Sequence, residues 1–81
     1  MSEQSESYTL NQFSQFFREN QETFLAFAYS YIRNWTEAED ILMESMISLW
    51  EYRKQWDEER SLHALLLTII KNKALNYLEH I

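Results

Sequence analysis

Glycine, proline and cysteine are all missing from these 81 residues. Without glycine or proline, tight hairpins that need positive φ would rest on Asn or Asp, which weighs against a multi-stranded β fold. Rossmann turns and P-loops need glycine where the backbone approaches phosphate, so both are excluded. Without cysteine there is no disulfide framework and no thiolate metal site. No run reaches the about 18 consecutive apolar residues of a membrane span. The start, "MSEQSESYTL", lacks the basic and apolar regions of a signal peptide, so a soluble, cytoplasmic protein is expected. Basic residues are also scarce: 7 Lys and Arg stand against 13 Asp and Glu, a net charge of −6. A simple nucleic-acid binder is rewarded for the opposite balance.

What is present is material for a helical core. Hydrophobic residues make up 46% of the chain and aromatics 16%, enough large side chains for one small domain and far more than a disordered tail carries. The expectation is an all-α fold: a small orthogonal or antiparallel bundle of three main helices over residues 9–81, preceded by a disordered N-terminus at 1–8. The charge is unevenly spread. Residues 1–59 carry 12 acids and 4 bases, whereas residues 60–81 carry 1 acid and 3 bases.

Leu10, Phe13, Phe17, Phe24, Ala28 and Tyr31 recur at helical spacing in the first segment. The intervening "RENQE" adds nothing to that face, so a bend or break is expected near Asn20, and "RNWT" at 33–36 separates this helix from the next. Thr36 and Glu39 have the spacing of a capping box for the second helix. At about 100° per residue, Ala38, Ile41, Leu42, Ser45, Leu49 and Tyr52 share one face of that helix. Glu37, Asp40, Glu44 and Glu51 lie opposite, with Ile47 and Met43 alongside. An Ile and a Met among carboxylates, away from the core, are compatible with a partner surface; the pattern also fits a solvated exterior.

"KQWDEERS" at 54–61 reads as a loop, with Ser61 or Asp57 available to cap the third helix. That helix, from Leu62 to His80, is apolar around most of its circumference, through Leu62, Leu65, Leu66, Leu67, Ile69, Ile70 and Leu78. Such a composition suits the central element of a bundle. Its polar strip holds Thr68, Lys71, Asn72 and Glu79, with Asn76 flanking it and Lys73 apart. His63 and His80 are too far apart on one helix to share a metal, and no Glu-x-x-His pair exists for a di-iron site, so both histidines read as surface residues. Trp35, Trp50 and Trp56 read as core and hinge packing, although Trp56 in a polar loop also suits stacking on a base. Nothing in these patterns asks for an enzyme or a cofactor.

Taken in order, "AEDILMESMISLWEYRKQW" and "SLHALLLTIIKNKALNYL" resemble the second conserved region of bacterial sigma factors of the extracytoplasmic-function group. Ala38, Glu39, Asp40, Glu44, Leu49 and Trp50 match the first motif of that family; Leu66, Ile69, Asn72, Ala74, Leu75, Tyr77 and Leu78 match the second. The resemblance extends over about residues 10–79. It implies a transcription initiation domain with two partners and no catalysis of its own. The second helix would dock on the β′ clamp helices of core RNA polymerase through Asp40, Met43, Glu44, Ile47 and Glu51. The third helix and the preceding loop would meet the non-template strand of the promoter −10 element through Trp56, Arg60, Lys71, Asn72, Lys73 and Asn76, with a flipped base held by the loop. On this reading the acidic part faces a basic protein and the basic part faces DNA. An anti-sigma factor is a further implied partner. A full family member also carries a second helical domain that reads the −35 element, for which 81 residues leave no room.

Departures from the family pattern keep a second reading open. Met43 and Met46 stand where the family usually has Gln and Phe, Leu65 and Leu67 where aromatics are common, and Glu79 near a usual Arg. With Asp57, Glu58 and Glu59 in the loop, these differences suit a sigma-like adaptor that binds protein but not promoter DNA.

Overall fold

The computed structural model of the chain describes residues 10–55 and 61–80. The expected disordered segment at 1–8 lies outside them. Three helices make up the fold: α1 (Leu10–Ile32), α2 (Trp35–Glu51) and α3 (Leu62–Glu79), with a single 3-10 turn at Arg53–Gln55 after α2. Each helix packs against both others, giving the small all-α bundle that the periodicity predicts.

α1 is one helix of 23 residues, continuous through Asn20. The break expected there does not occur: the Asn20 amide donates to the Phe16 carbonyl at 2.8 Å, one turn back, so the polar "RENQE" stretch stays helical. α1 buries Phe13, Phe24 and Ala28, while Phe17 and Tyr31 are only partly buried and Leu10 is exposed.

The link between α1 and α2 is two residues long, Arg33 and Asn34. Arg33 has φ of 60°, the left-handed conformation that usually falls to glycine after a helix. Its amide donates to the Tyr29 carbonyl at 2.7 Å, satisfying an otherwise orphan acceptor at the helix end. Asn34, not Thr36, caps α2. Its side-chain oxygen accepts from the Glu37 amide at 3.0 Å, so the helix starts at Trp35 and the Thr36–Glu39 spacing lies inside the first turns.

α2 buries Ala38, Ile41, Leu42, Ser45 and Leu49, five of the six residues assigned to its inner face. The sixth, Tyr52, is exposed because it is the C-cap, where the backbone leaves the helix. Ser45 is fully buried, and its hydroxyl donates to the Ile41 carbonyl at 2.6 Å, which removes the penalty of an unpaired polar group. Ser45, Ala28, Ala38 and Ala74 give the core small surfaces where helix backbones can approach. Around them, Phe24, Leu49, Leu66 and Ile70 are the largest fully buried side chains.

α3 is capped by Ser61, whose hydroxyl accepts from the Ala64 amide at 2.9 Å. It buries only Leu66, Ile70 and Ala74. The most enclosed face therefore belongs to α2 rather than to α3, and Leu78, past the last buried residue, is exposed. His63 is a half-buried packing residue, with its ring centroid 4.9 Å from that of the buried Phe24.

Candidate functional site

α2 meets α1 along one flank, where Trp50 packs on Phe13 with ring centroids 5.0 Å apart. It meets α3 along the other, beside Ile41. Between these two flanks is an outward side that no described helix covers. Asp40, Met43, Glu44, Ile47 and Glu51 are all exposed, with Met43 keeping 51% and Ile47 49% of their surface. Leaving two large apolar side chains this open costs hydrophobic stabilisation of about 25 cal/mol per Å² that burial would have supplied. A helix selected only for solubility would place polar residues there.

On α3, Lys71, Asn72 and Asn76 are exposed and Lys73 is half-buried. The four do not form one strip. Residues two apart on a helix point to different sides, so Lys71 and Lys73 diverge. Lys73 and Asn76 turn towards α2 and line a groove with Glu37, Asp40, Ile41, Glu44 and Tyr77. The groove measures about 270 Å³, at the lower limit of the roughly 300–1,000 Å³ of small-molecule sites. It is a seam between helices rather than a substrate pocket.

The groove brings members of the two expected surfaces together along one seam. Asp40 and Glu44, expected on the polymerase side, share it with Lys73 and Asn76, expected on the DNA side. The cationic character left on the open strip of α3 comes from Lys71, and that strip also exposes Leu75, Leu78 and Glu79. Trp56 and Arg60, with most of the loop expected to hold a flipped base, lie outside the described residues.

Sequence patterns missed one aromatic feature. Trp35 stacks on Tyr29 with ring centroids 3.9 Å apart and planes 13° from parallel. The Arg33 guanidinium lies 5.5 Å from the Tyr29 ring centroid. Trp35 is therefore not core packing: it keeps 53% of its surface exposed. No local pattern announces the stack, because it depends on a positive φ at Arg33. Trp50 carries a second cation contact, with the Arg53 guanidinium 4.4 Å from its ring centroid. Among the described residues no group of three His, Cys, Asp or Glu could hold a metal ion.

The family model for sigma-70 region 2 matches residues 16–80. The chain belongs to that family. Neither the curated proteins nor the solved structures compared with it give a significant match. As a sigma region 2 domain it is a transcription initiation domain, with a general role in binding RNA polymerase core and recognising the promoter −10 element. That family is not a known enzyme family. The matched span takes in most of α1 and all of α2 and α3, so both candidate surfaces of this sigma region 2 domain fall within it. No described helix is long and apolar enough to cross a membrane.

Proposed function

We propose that this sigma region 2 domain is of the extracytoplasmic-function type, works in the cytoplasm, and docks on the β′ clamp helices through the outer side of α2. Asp40, Glu44 and Glu51 supply charge for a basic partner; Met43 and Ile47 supply apolar contact. The observation that carries this reading is the exposure of Met43 and Ile47, 51% and 49%, on a carboxylate-rich helix side. Exposed apolar groups ringed by polar ones mark interaction sites, and the charge gives specificity and speeds encounter.

On the DNA side, Lys71 meets backbone phosphate and Asn72 meets the non-template strand of the −10 element, with Trp56 and Arg60 contributing from the loop. Lys73 and Asn76 serve mainly the α2–α3 seam. An anti-sigma factor that covers α2 would hold the domain inactive by occupying the same surface.

The test is a titration of the isotope-labelled chain with an isolated β′ clamp-helix fragment, followed by amide shifts. Shifts centred on Asp40, Glu44 and Ile47 are expected, and Asp40→Arg is expected to weaken binding about tenfold, near 1.4 kcal/mol, without unfolding the chain. A flat titration of a folded chain would remove the assignment.

A second reading has an observation of its own. Lys73 is half-buried among carboxylates and Glu79 is exposed on α3, both of which reduce attraction for phosphate. These favour an adaptor that binds polymerase and leaves DNA alone. DNA affinity that falls with rising salt separates the two, since only phosphate contact releases counterions.

A further inference from the structure

Ala64, Thr68, Lys71, Leu75 and Leu78 follow one another along α3 at alternating steps of four and three residues, and all of them are exposed. That alternation is the spacing of a coiled-coil seam. At about 100° per residue they stay within an arc of roughly 80°. They therefore form one straight strip, on the side of α3 turned away from the buried Leu66, Ile70 and Ala74. The C-terminal half of the strip is apolar: Leu75 keeps 40% and Leu78 37% of its surface. Thr68 asks little of a partner, because its hydroxyl donates to the Ala64 carbonyl at 3.1 Å within the same helix.

The charges around the two leucines decide what fits. Lys71 stands one turn before Leu75 and Glu79 one turn after it, both exposed, at about 40° to either side. Turning the helix end for end about Leu75 exchanges these two places. Two copies of α3 laid antiparallel, Leu75 against Leu75, therefore bring each lysine to the level of the other copy's glutamate. A surface that complements itself in this way is what a two-fold pair requires. The outer side of α2 lacks that property. There Asp40, Glu44 and Glu51 would meet only carboxylates of their own kind, in a chain already at a net charge of −6. DNA would use Lys71 and leave both leucines open; a second copy uses Lys71, Leu75, Leu78 and Glu79 together.

The geometry points to the outer strip of α3 as a self-association surface, on which two copies of this chain pair antiparallel about Leu75, with Lys71 of each beside Glu79 of the other. From Ala64 to Glu79 the strip is about 22 Å long at 1.5 Å per residue, on a helix about 10 Å across. That is a fraction of the roughly 800 Å² per partner in a standard stable interface, so the pair is weak and reversible. Pairing covers Lys71 and Asn72, the α3 residues assigned above to DNA, so a paired chain does not present them. The pairing itself stands without that assignment.

The test is sedimentation equilibrium of the full 81-residue chain from micromolar to millimolar concentration, without core enzyme or DNA. A monomer–dimer equilibrium is expected, weakened at least tenfold by Leu75→Asp, a change at an exposed position with helicity checked. Lys71→Glu and Glu79→Lys should each weaken the pair. The two together should restore it, because the reversed charges meet again across the two-fold. A dilution series of the unaltered chain, followed by amide shifts, should move Lys71, Leu75, Leu78 and Glu79 and leave Met43 and Ile47 still. A chain that stays monomeric throughout overturns the inference. So does a dimer that survives Leu75→Asp, a double reversal no better than its single changes, or shifts centred on Met43 and Ile47. None of these outcomes alters the polymerase reading of α2, which is measured with a different partner.

Discussion

Lys73 of α3 and Glu44 of α2 line one groove, with Glu37 and Asp40 on the same wall as Glu44. Lys73 is thus half-buried in a groove that three carboxylate residues also line, while Lys71 is open to solvent. Two lysines separated by one residue consequently have different surroundings. In the proposed function, Lys73 belongs to the seam between helices and Lys71 is the α3 lysine that meets a phosphate.

The salt dependence of promoter binding measures that difference. For the chain bound to core enzyme, Lys71→Gln should reduce the slope of log affinity against log salt by about one, the loss of a single phosphate contact. Lys73→Gln should leave the slope nearly unchanged. Equal effects of both substitutions would mean that Lys73 swings out of the groove to meet DNA.

Asn72 is exposed on the same strip, with no core role to lose. Asn72→Ala should therefore reduce promoter opening, followed by permanganate reactivity of unpaired thymines, while affinity for core enzyme stays within about twofold. A matching loss in both would assign Asn72 to the fold instead.

The helix start gives a stability test. Asn34 accepts from the Glu37 amide at 3.0 Å, and removing such a cap costs about 1 kcal/mol. For a domain of this size that lowers Tm by roughly 4–8 °C. Thr36→Ala, at an exposed position already inside the helix, should change stability by no more than about 0.5 kcal/mol. Thermal melts of the two variants check both values.

Phe24 tests the core. It is fully buried against His63 and Phe16, with ring centroids 4.9 and 5.8 Å away. Phe24→Ala should cost about 3–5 kcal/mol, a large share of the roughly 5–15 kcal/mol that holds a domain folded. Ile47→Ser, at a site already 49% exposed, should cost well under half as much while weakening polymerase binding. Urea denaturation of the two variants reads the contrast.

The residues that face inwards on α2 are legible from spacing alone. Ala38, Ile41, Leu42, Ser45 and Leu49 are all buried, because an amphipathic helix writes its inner face into a local period. The outward exposure of Asp40, Met43, Glu44, Ile47 and Glu51 follows from the same period. Ser61 as the cap of α3 is equally local, since a hydroxyl needs to reach only three residues ahead. The two family motifs are carried by residues on these same helices, which is why family and fold class could both be read from the chain.

Tertiary structure decided the rest. Whether Asn34 or Thr36 caps α2 depends on Arg33 adopting positive φ, a state that propensity assigns to glycine and that the tight α1–α2 corner imposes here. The same corner brings Trp35 onto Tyr29, so that of the expected core and hinge packing it supplies the hinge and stays exposed. A helical period says which side of a helix is buried but not which flank of a neighbour it will face. The angles at which three helices pack set that, and they placed Lys73 beside Asp40 and Glu44. Sequence determined the helices, their inner faces and the family; packing alone determined how the charges of α2 and α3 meet.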